Sequence, residues 1–138
     1  MDLNPYLTFP GTCEDALNFY AEVFGGQVEM LQKVKDSPMA AEMPAAAQDQ
    51  VIHGRVRIGE RLIMASDHLQ GDYTPPAGMQ VQTAFDDVEK ASRVFSRLAK
   101  NGETVMAFGP TFWAAGFGMC RDRYGIPWMV NCDQPPGG

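Results

Sequence analysis

The chain has 138 residues, enough to bury one hydrophobic core and too few for two independent domains. Hydrophobic residues make up 45% of it and charged residues 20%, a globular balance that excludes a disordered or fibrous chain. The net charge of −6, from 11 basic and 17 acidic residues, disfavours nucleic acid and anionic membranes as partners.

The N-terminal stretch, MDLNPYLTFPGTCEDALNFY, has an acid at its second residue and no basic segment followed by an apolar run, so we expect no signal peptide. No later segment approaches the roughly 20 apolar residues of a membrane span. The three cysteines, Cys13, Cys120 and Cys132, are odd in number and form no C-x-x-C pair. This pattern favours buried, reduced thiols and a cytoplasmic protein.

The first half of the chain begins with a short apolar run, Asn4 to Phe9, which predicts a strand that ends at the turn-forming sequence PGT. A helix is expected next, because Thr12 can cap it with Asp15 three residues later and apolar residues then recur at helical spacing. The pair Gly25-Gly26 marks the end of this helix. A strand from Gln27 to Val34 follows.

The segment from Lys35 to Gln50 is rich in Ala, Met and Pro, and is interpreted either as a mobile flap or as a short helix beside the site. From Val51 the pattern has period two, which indicates a strand with Gly54 and Val56 on one face. A tight turn at Gly59-Glu60 leads into the partner strand, RLIMASD, and completes a hairpin.

The second half repeats this order after a turn-rich boundary, His68 to Gly78. The repeat comprises a strand at Met79 to Phe85, a helix capped by Asp86 or Asp87 and stopped at Asn101-Gly102, and strands at Thr104 to Phe108, about Phe112 to Arg121, and Pro127 to Cys132. We therefore expect one domain of class α+β, made of two modules at about residues 1–70 and 78–138. Short echoes support the duplication, since GGQVEM follows the first helix as NGETVM follows the second.

Three stretches carry a family resemblance: NPYLTF with CEDALNFY, HGRVRIG with LIMASD, and TFWAAGFGMCRDRYGIPWMVN. They resemble PhnB-like proteins of the vicinal oxygen chelate superfamily, which contains glyoxalases, bleomycin-resistance proteins and dioxygenases. The resemblance implies paired βαβββ modules in a curved mixed sheet, with helices on the convex side, a ligand on the concave side, and a homodimer. Such proteins often carry a 3-demethylubiquinone methyltransferase label, but this chain lacks the glycine-rich loop and βαβ succession of a nucleotide-cofactor site.

Enzymes of this superfamily usually bind a divalent metal through the first, fourth, fifth and eighth strands. The matching positions in this chain lie near Pro5, Met64, Gln80 and Met129. Neither these residues nor their neighbours are His, Asp, Glu or Cys, so we expect no metal and no cofactor. A non-standard site using His53 and His68, with Asp67 as a third ligand, stays open as an alternative.

Three basic side chains, His53, Arg55 and Arg57, share the other face of the strand that begins at Val51. Arginine can bind phosphate, phosphonate or carboxylate bidentately, so this face predicts an anion site. The alternative is that these residues are simply a solvated strand face or make ion pairs with the acidic surface. The candidate ligand-binding residues are His53, Arg55, Arg57, Met64, Gln80, Gln82, Trp113, Phe117, Met129 and Asn131.

Individual residues in this set have alternative interpretations. His53 could act as an acid or base, or could simply be hydrogen-bonded, and Asp67 could orient it or cap the following turn. Trp113 and Phe117 are interpreted either as core or as a wall of the ligand cavity. Trp128 alternates with Met129, so these two side chains should face opposite ways.

Three functions are compatible with these features. The first is a metal-independent small-molecule binding protein for an anionic metabolite such as a phosphonate, which the absent ligands and the basic face favour. The second is an enzyme of lyase, isomerase or dioxygenase type on such a metabolite, with His53 as acid or base. The third is a homodimeric structural or regulatory module.

Overall fold

The computed structural model describes residues 1–133, which form two compact units that divide between Tyr73 and Thr74. The first unit contains β1 (Tyr6–Phe9), α1 (Cys13–Phe24), β2 (Gln27–Lys33), β3 (Val51–Ile58) and β4 (Arg61–Asp67). The second contains β5 (Val81–Phe85), α2 (Val88–Ala99), β6 (Glu103–Gly109), β7 (Ala114–Arg121) and β8 (Pro127–Asp133).

Each unit has one mixed four-stranded sheet, and the two strand orders correspond. They are β1-β4-β3-β2 and β5-β8-β7-β6, with the first strand of each unit parallel to the last and the other pairs antiparallel. This correspondence confirms the α+β class and the internal duplication.

One helix packs on one face of each sheet, α1 on β2, β3 and β4 and α2 chiefly on β7 and β8. Two equivalent glycines permit the close approach. A Cβ atom at Gly54 would lie 2.6 Å from Cδ1 of Leu17, and one at Gly118 would lie 2.8 Å from the Phe95 ring. The face of each sheet turned away from its helix is called the open face below.

The N-terminus of α1 is held by a distant side chain, and the predicted cap at Thr12 is wrong. Thr12 makes no cap, and its buried Oγ1 has no hydrogen-bond partner within residues 1–133. Instead Oδ1 of Asp67 accepts hydrogen bonds from the backbone N–H groups of Gly11 and Cys13 at 3.0 and 2.9 Å, and Oδ2 accepts from Val51 at 2.9 Å. Asp67 reaches the helix because it ends β4, the parallel neighbour of β1.

In α2 the predicted cap is confirmed, since Asp87 accepts a hydrogen bond from the backbone N–H of Glu89 at 2.9 Å. The C-terminal turns of both helices explain the repeated sequence at this point. Gly25 and Asn101 have φ values of 69° and 62°, in the left-handed region. The residue that follows is a glycine in each unit, Gly26 and Gly102. A Cβ atom added there would collide with the backbone oxygen of Arg57 in β3 or of Arg121 in β7.

The segment between β2 and β3 forms three short 3-10 turns, at Val34–Asp36, Ala40–Glu42 and Ala45–Ala47, so it is not one α-helix. Backbone hydrogen bonds close its base, from the N–H of Val34 to the oxygen of Gln50 and from the N–H of Lys35 to the oxygen of Gln48. The Gln48 amide also donates to the backbone oxygens of Ala40 and Met43 at 2.9 and 3.0 Å. The segment is therefore a compact loop, closed by backbone hydrogen bonds at its base and held together internally by the side chain of Gln48.

All three cysteines are buried and free, which confirms the expectation of buried thiols. Burial, with the nearby charges of Asp67 and Glu14, raises the pKa of Cys13 to about 12, and burial with the charge of Asp122 raises that of Cys120 to about 11. Both are therefore neutral, weakly nucleophilic thiols at pH 7.

The two α-helices, α1 and α2, have 12 residues each, and no helix formed by residues 1–133 has the length and apolar character to cross a membrane.

Candidate functional site

His53 lies between two hydrogen-bonding partners on the open face of the first sheet. The hydroxyl of Tyr6 is 3.2 Å from its Nδ1, and the two rings are stacked with centroids 5.8 Å apart. On the other side, Nε of Arg55 donates to Nε2 at 3.1 Å. The sheet register creates this cluster, because Met64 of β4 pairs with Tyr6 on one side and with Arg55 on the other.

The electrostatic state of His53 follows from this environment. Burial lowers its pKa below the ordinary value, and the positive charge of Arg55 lowers it further. The imidazole is therefore neutral at pH 7 and can accept the hydrogen bond from Arg55.

Arg55 and Arg57 share a strand face but differ in their partners. Arg57 forms a bidentate pair with Glu29, with Nε 2.8 Å from Oε2 and Nη2 3.1 Å from Oε1. These bonds lower the pKa of Glu29. The terminal nitrogens of Arg55 have no hydrogen-bond or salt-bridge partner within residues 1–133. The ion-pair alternative thus describes Arg57, and Arg55 keeps an available guanidinium.

The superfamily's metal site requires donors that the corresponding positions do not supply. Tyr6 pairs with Met64 in the first sheet, and Gln82 pairs with Met129 in the second, so the open-face residues are Tyr6 and Gln82 rather than Pro5 and Gln80. Neither pair, a phenol with a thioether in the first sheet and an amide with a thioether in the second, supplies the carboxylate, imidazole or thiolate ligands that divalent cations prefer.

The alternative pair of histidines is not assembled into a metal cluster either. His53 is engaged by Tyr6 and Arg55, whereas the ring of His68 packs against Tyr73 with centroids 6.3 Å apart. Asp67 is buried and accepts three backbone hydrogen bonds, so it neither orients His53 nor caps the following turn. Residues 1–133 contain no group of three His, Cys, Asp or Glu side chains suited to a metal ion.

The open face of the second sheet is largely apolar. One cross-strand row contains Gln82, Met129, Met119 and Met106. In the next row Phe117 pairs with Asn131, whose Nδ2 donates to Asp133 at 2.9 Å. The buried Oδ1 of Asn131 has no partner among the described residues. Gln80 precedes β5 and lies outside both rows.

The aromatic residues of the last hairpin divide between core and surface. Trp128 is 1% exposed, and its indole N–H donates to Oδ2 of Asp122 at 2.8 Å. Trp113 is 48% exposed, so the core interpretation is wrong for it, and its ring centroid lies 5.4 Å from that of Phe117. Met129 is only half-buried, which confirms that it and Trp128 face opposite ways.

The candidate set lacked four residues of these surfaces: Tyr6, Phe112, Met106 and Met119. Phe112 is 93% exposed and packs edge-on against Trp113 at a centroid distance of 4.8 Å. Tyr6 enters through the parallel pairing of β1 with β4, which joins residues far apart in sequence. The alternation Tyr6, Leu7, Thr8, Phe9 already separates the open face from the core face, and was the available signal.

Comparison with known proteins gives concordant matches. Residues 1–131 match the family model described as 3-demethylubiquinone-9 3-methyltransferase. Protein YjdN of Escherichia coli (strain K12) is 37% identical over 145 residues, covering 95% of each chain. The crystal structure of PA1353 from Pseudomonas aeruginosa has 40% identity and a TM-score of 0.89, covering 98% of this chain and 99% of that one. The PhnB protein from Bacillus cereus, at 23% identity, shares the fold with a TM-score of 0.79, covering 96% and 99%.

Proposed function

Because the chain belongs to the 3-demethylubiquinone-9 3-methyltransferase (PhnB-like) family and has the fold of the glyoxalase, bleomycin-resistance and dioxygenase superfamily, we propose that it is a metal-independent small-molecule binding protein. Its ligand is an anionic metabolite that carries a phosphonate, phosphate or carboxylate group. The binding residue of the first unit is Arg55, with His53 beside it.

The available guanidinium of Arg55 is the observation that carries this proposal. The protein has an excess of acidic residues, and one of them pairs with the neighbouring Arg57. Arg55 is instead held by a neutral imidazole through Nε, which fixes the fork and leaves its terminal N–H groups without a partner within residues 1–133. A planar fork fixed in this way is suited to an oxyanion, which it can bind through two parallel hydrogen bonds.

A direct test is isothermal titration calorimetry of the protein with methylphosphonate, inorganic phosphate and acetate. We expect at least one of these anions to bind, with equal affinity before and after treatment of the protein with EDTA. Arg55→Ala should weaken that binding at least about tenfold, because it removes hydrogen bonds to a charged group. Arg57→Ala is the matched control on the same strand face and should change affinity by no more than about twofold. No binding to the wild type, or equal losses in the two variants, would refute the proposal.

The enzymatic alternative, with His53 as acid or base, has less support from the geometry. A general base needs a free lone pair directed at the proton it removes. Both ring nitrogens of His53 are occupied, one by Arg55 and the other by Tyr6. The family description also names methyl transfer, but two four-stranded mixed sheets differ from the doubly wound parallel sheet that holds nucleotide cofactors.

We also propose a homodimer, located in the cytoplasm. The three free thiols support the location. Exposed apolar side chains on β6 and just after it, Val105, Met106 and Phe112, support association with a second copy. Native mass spectrometry of the purified protein tests the dimer, and a monomer at micromolar concentration would contradict it.

A further inference from the structure

The hydroxyl of Tyr6 has a feature that the anion-binding proposal does not use. The side chain is 49% exposed on the open face, and His53 is the only hydrogen-bonding partner of its hydroxyl within residues 1–133. The direction of that hydrogen bond depends on which nitrogen of His53 carries the proton.

Arg55 determines which ring nitrogen of His53 carries the proton. An arginine Nε–H can only donate, so Nε2 of His53 must present its lone pair. A neutral imidazole has one N–H, which must then be on Nδ1. Nδ1–H therefore donates to the Tyr6 oxygen, 3.2 Å away, and the hydrogen of the Tyr6 hydroxyl is left for another acceptor.

The cluster consequently presents hydrogen-bond donors at both ends, the Tyr6 hydroxyl and the terminal N–H groups of Arg55. The imidazole ring and two hydrogen bonds of about 3 Å separate the two ends. One oxygen atom cannot reach both donors. Two acceptor oxygens joined by a short linker can.

We propose that Tyr6 donates its hydroxyl hydrogen to the ligand that Arg55 binds, so that this site takes a ligand with an oxyanion group for Arg55 and a second oxygen acceptor a few bonds away for Tyr6. His53 is the positioning residue that turns the Tyr6 hydrogen outward. The ligand class is a short phosphonate or carboxylate that carries a carbonyl or a second carboxylate. This inference rests on the proposed anion-binding function.

A matched pair of probes tests the second contact. Propylphosphonate and 2-oxopropylphosphonate have nearly the same shape and differ by the carbonyl oxygen, and they are compared at a pH at which both are dianions. We expect the wild type to bind 2-oxopropylphosphonate about fivefold more tightly than propylphosphonate, the effect of one neutral hydrogen bond. Tyr6→Phe should abolish this preference and leave the affinity for propylphosphonate unchanged. Arg55→Ala should weaken both ligands.

Tyr73→Phe is the control for loss of a phenol hydroxyl in the same unit, because the Tyr73 hydroxyl donates to the backbone oxygen of Thr8. It should retain the preference for the carbonyl. If Arg55→Ala weakens both ligands but the preference is absent, or persists in Tyr6→Phe, the inference fails and the proposed function stands. If neither ligand binds the wild type, the inference fails, and the proposed function fails with it if phosphate and acetate do not bind either.

The proton position on His53 gives an independent readout in the unliganded protein. The chain has only two histidines, so ¹⁵N spectra at pH 7.5 can be assigned with a His68→Gln variant. We expect a protonated Nδ1 and an unprotonated Nε2 in His53, both in the wild type and in Tyr6→Phe. A protonated Nε2 would overturn the inference, because the Tyr6 hydrogen would then be donated to His53.

Discussion

The two units share a strand order but place their buried carboxylates at opposite ends of the sheet. In the first unit, Asp67 at the end of β4 binds three backbone N–H groups from the start of α1 and from β3. The corresponding residue of the second unit is Cys132, since Phe9 pairs with Asp67 and Phe85 pairs with Cys132. The buried carboxylate there is Asp122, in the turn between β7 and β8. The same topology can thus be stabilised by a long-range polar anchor or by a local one.

The open faces of the two sheets also differ, in the kind of side chain at corresponding positions. The corresponding rows are Tyr6, Met64 and Arg55 in the first unit and Gln82, Met129 and Met119 in the second. By the same register, His53 of the first unit corresponds to Phe117. The duplication has therefore separated polar chemistry, in the first unit, from apolar and aromatic surface, in the second.

The largest expected effect is the loss of the long-range anchor. Asp67→Asn keeps the size of the side chain but replaces one acceptor oxygen by an N–H₂ group, which would face a buried backbone donor. We expect the free energy of unfolding to fall by about 3 kcal/mol, measured by urea denaturation. Cys132→Ala, at the corresponding position, should cost about 1 kcal/mol through lost packing and the loss of a weak hydrogen bond from Sγ to the Asp133 backbone oxygen. Equal losses in the two variants would remove the distinction between the units.

The local anchor should have the next largest effect. Asp122 accepts from the N–H groups of Tyr124 and Ile126 at 2.8 and 3.0 Å, and from the indole of Trp128. Asp122→Asn should lower the free energy of unfolding by about 2 kcal/mol, because the amide N–H₂ would meet the indole N–H. Trp128→Phe should lower the free energy of unfolding less in the Asp122→Asn variant than in the wild type. In that variant the indole N–H has already lost its acceptor, so removing the indole breaks no hydrogen bond. Additive losses would argue against this hydrogen bond.

A smaller effect is expected where the helices end. Asn101 is the one residue other than glycine with positive φ in residues 1–133, and it corresponds to Gly25 of the first unit. Asn101→Gly should raise the free energy of unfolding by about 0.5 kcal/mol, and the reciprocal Gly25→Asn should lower it by a similar amount. Thermal unfolding of the two variants checks both signs, and the same sign in both would contradict the assigned equivalence.

Sequence patterns predicted the fold because the signals that define its elements are local. The strand RLIMASD, the helix that ends at Gly25 and the cap at Asp87 follow from alternation, helical spacing and turn chemistry within a few residues. The anchor at Asp67 was missed because its partners Gly11 and Cys13 lie more than fifty positions away.

The candidate site was predicted only in part, for a related reason. Alternation placed Arg55 and Arg57 on one face but could not show which of them would be neutralised. Glu29 reaches Arg57 at an irregularity of β2, where the register shifts between Val28 and Met30. A bulge of this kind depends on the pairing of two strands, and one strand's sequence does not reveal it.

The smallest expected effect concerns the difference between His53 and Phe117 and is visible only through pH. Burial and Arg55 lower the pKa of His53 in the folded protein below its ordinary value of 6.5. As the pH falls below 6.5, the unfolded chain therefore takes up a proton before the folded one does, and this difference reduces stability until the pH lies below the folded pKa. At higher pH His53 is neutral in both states and contributes no pH dependence.

His53→Phe, which gives the first unit the residue of the second, should show a smaller loss of stability between pH 7.5 and 5.5 than the wild type. Urea denaturation at the two pH values measures this difference, and an NMR titration of His53 reports its pKa directly. A midpoint at or above 6.5 would mean that protonation is not opposed by Arg55, and the polar cluster that distinguishes the first unit would then lack its central hydrogen bond.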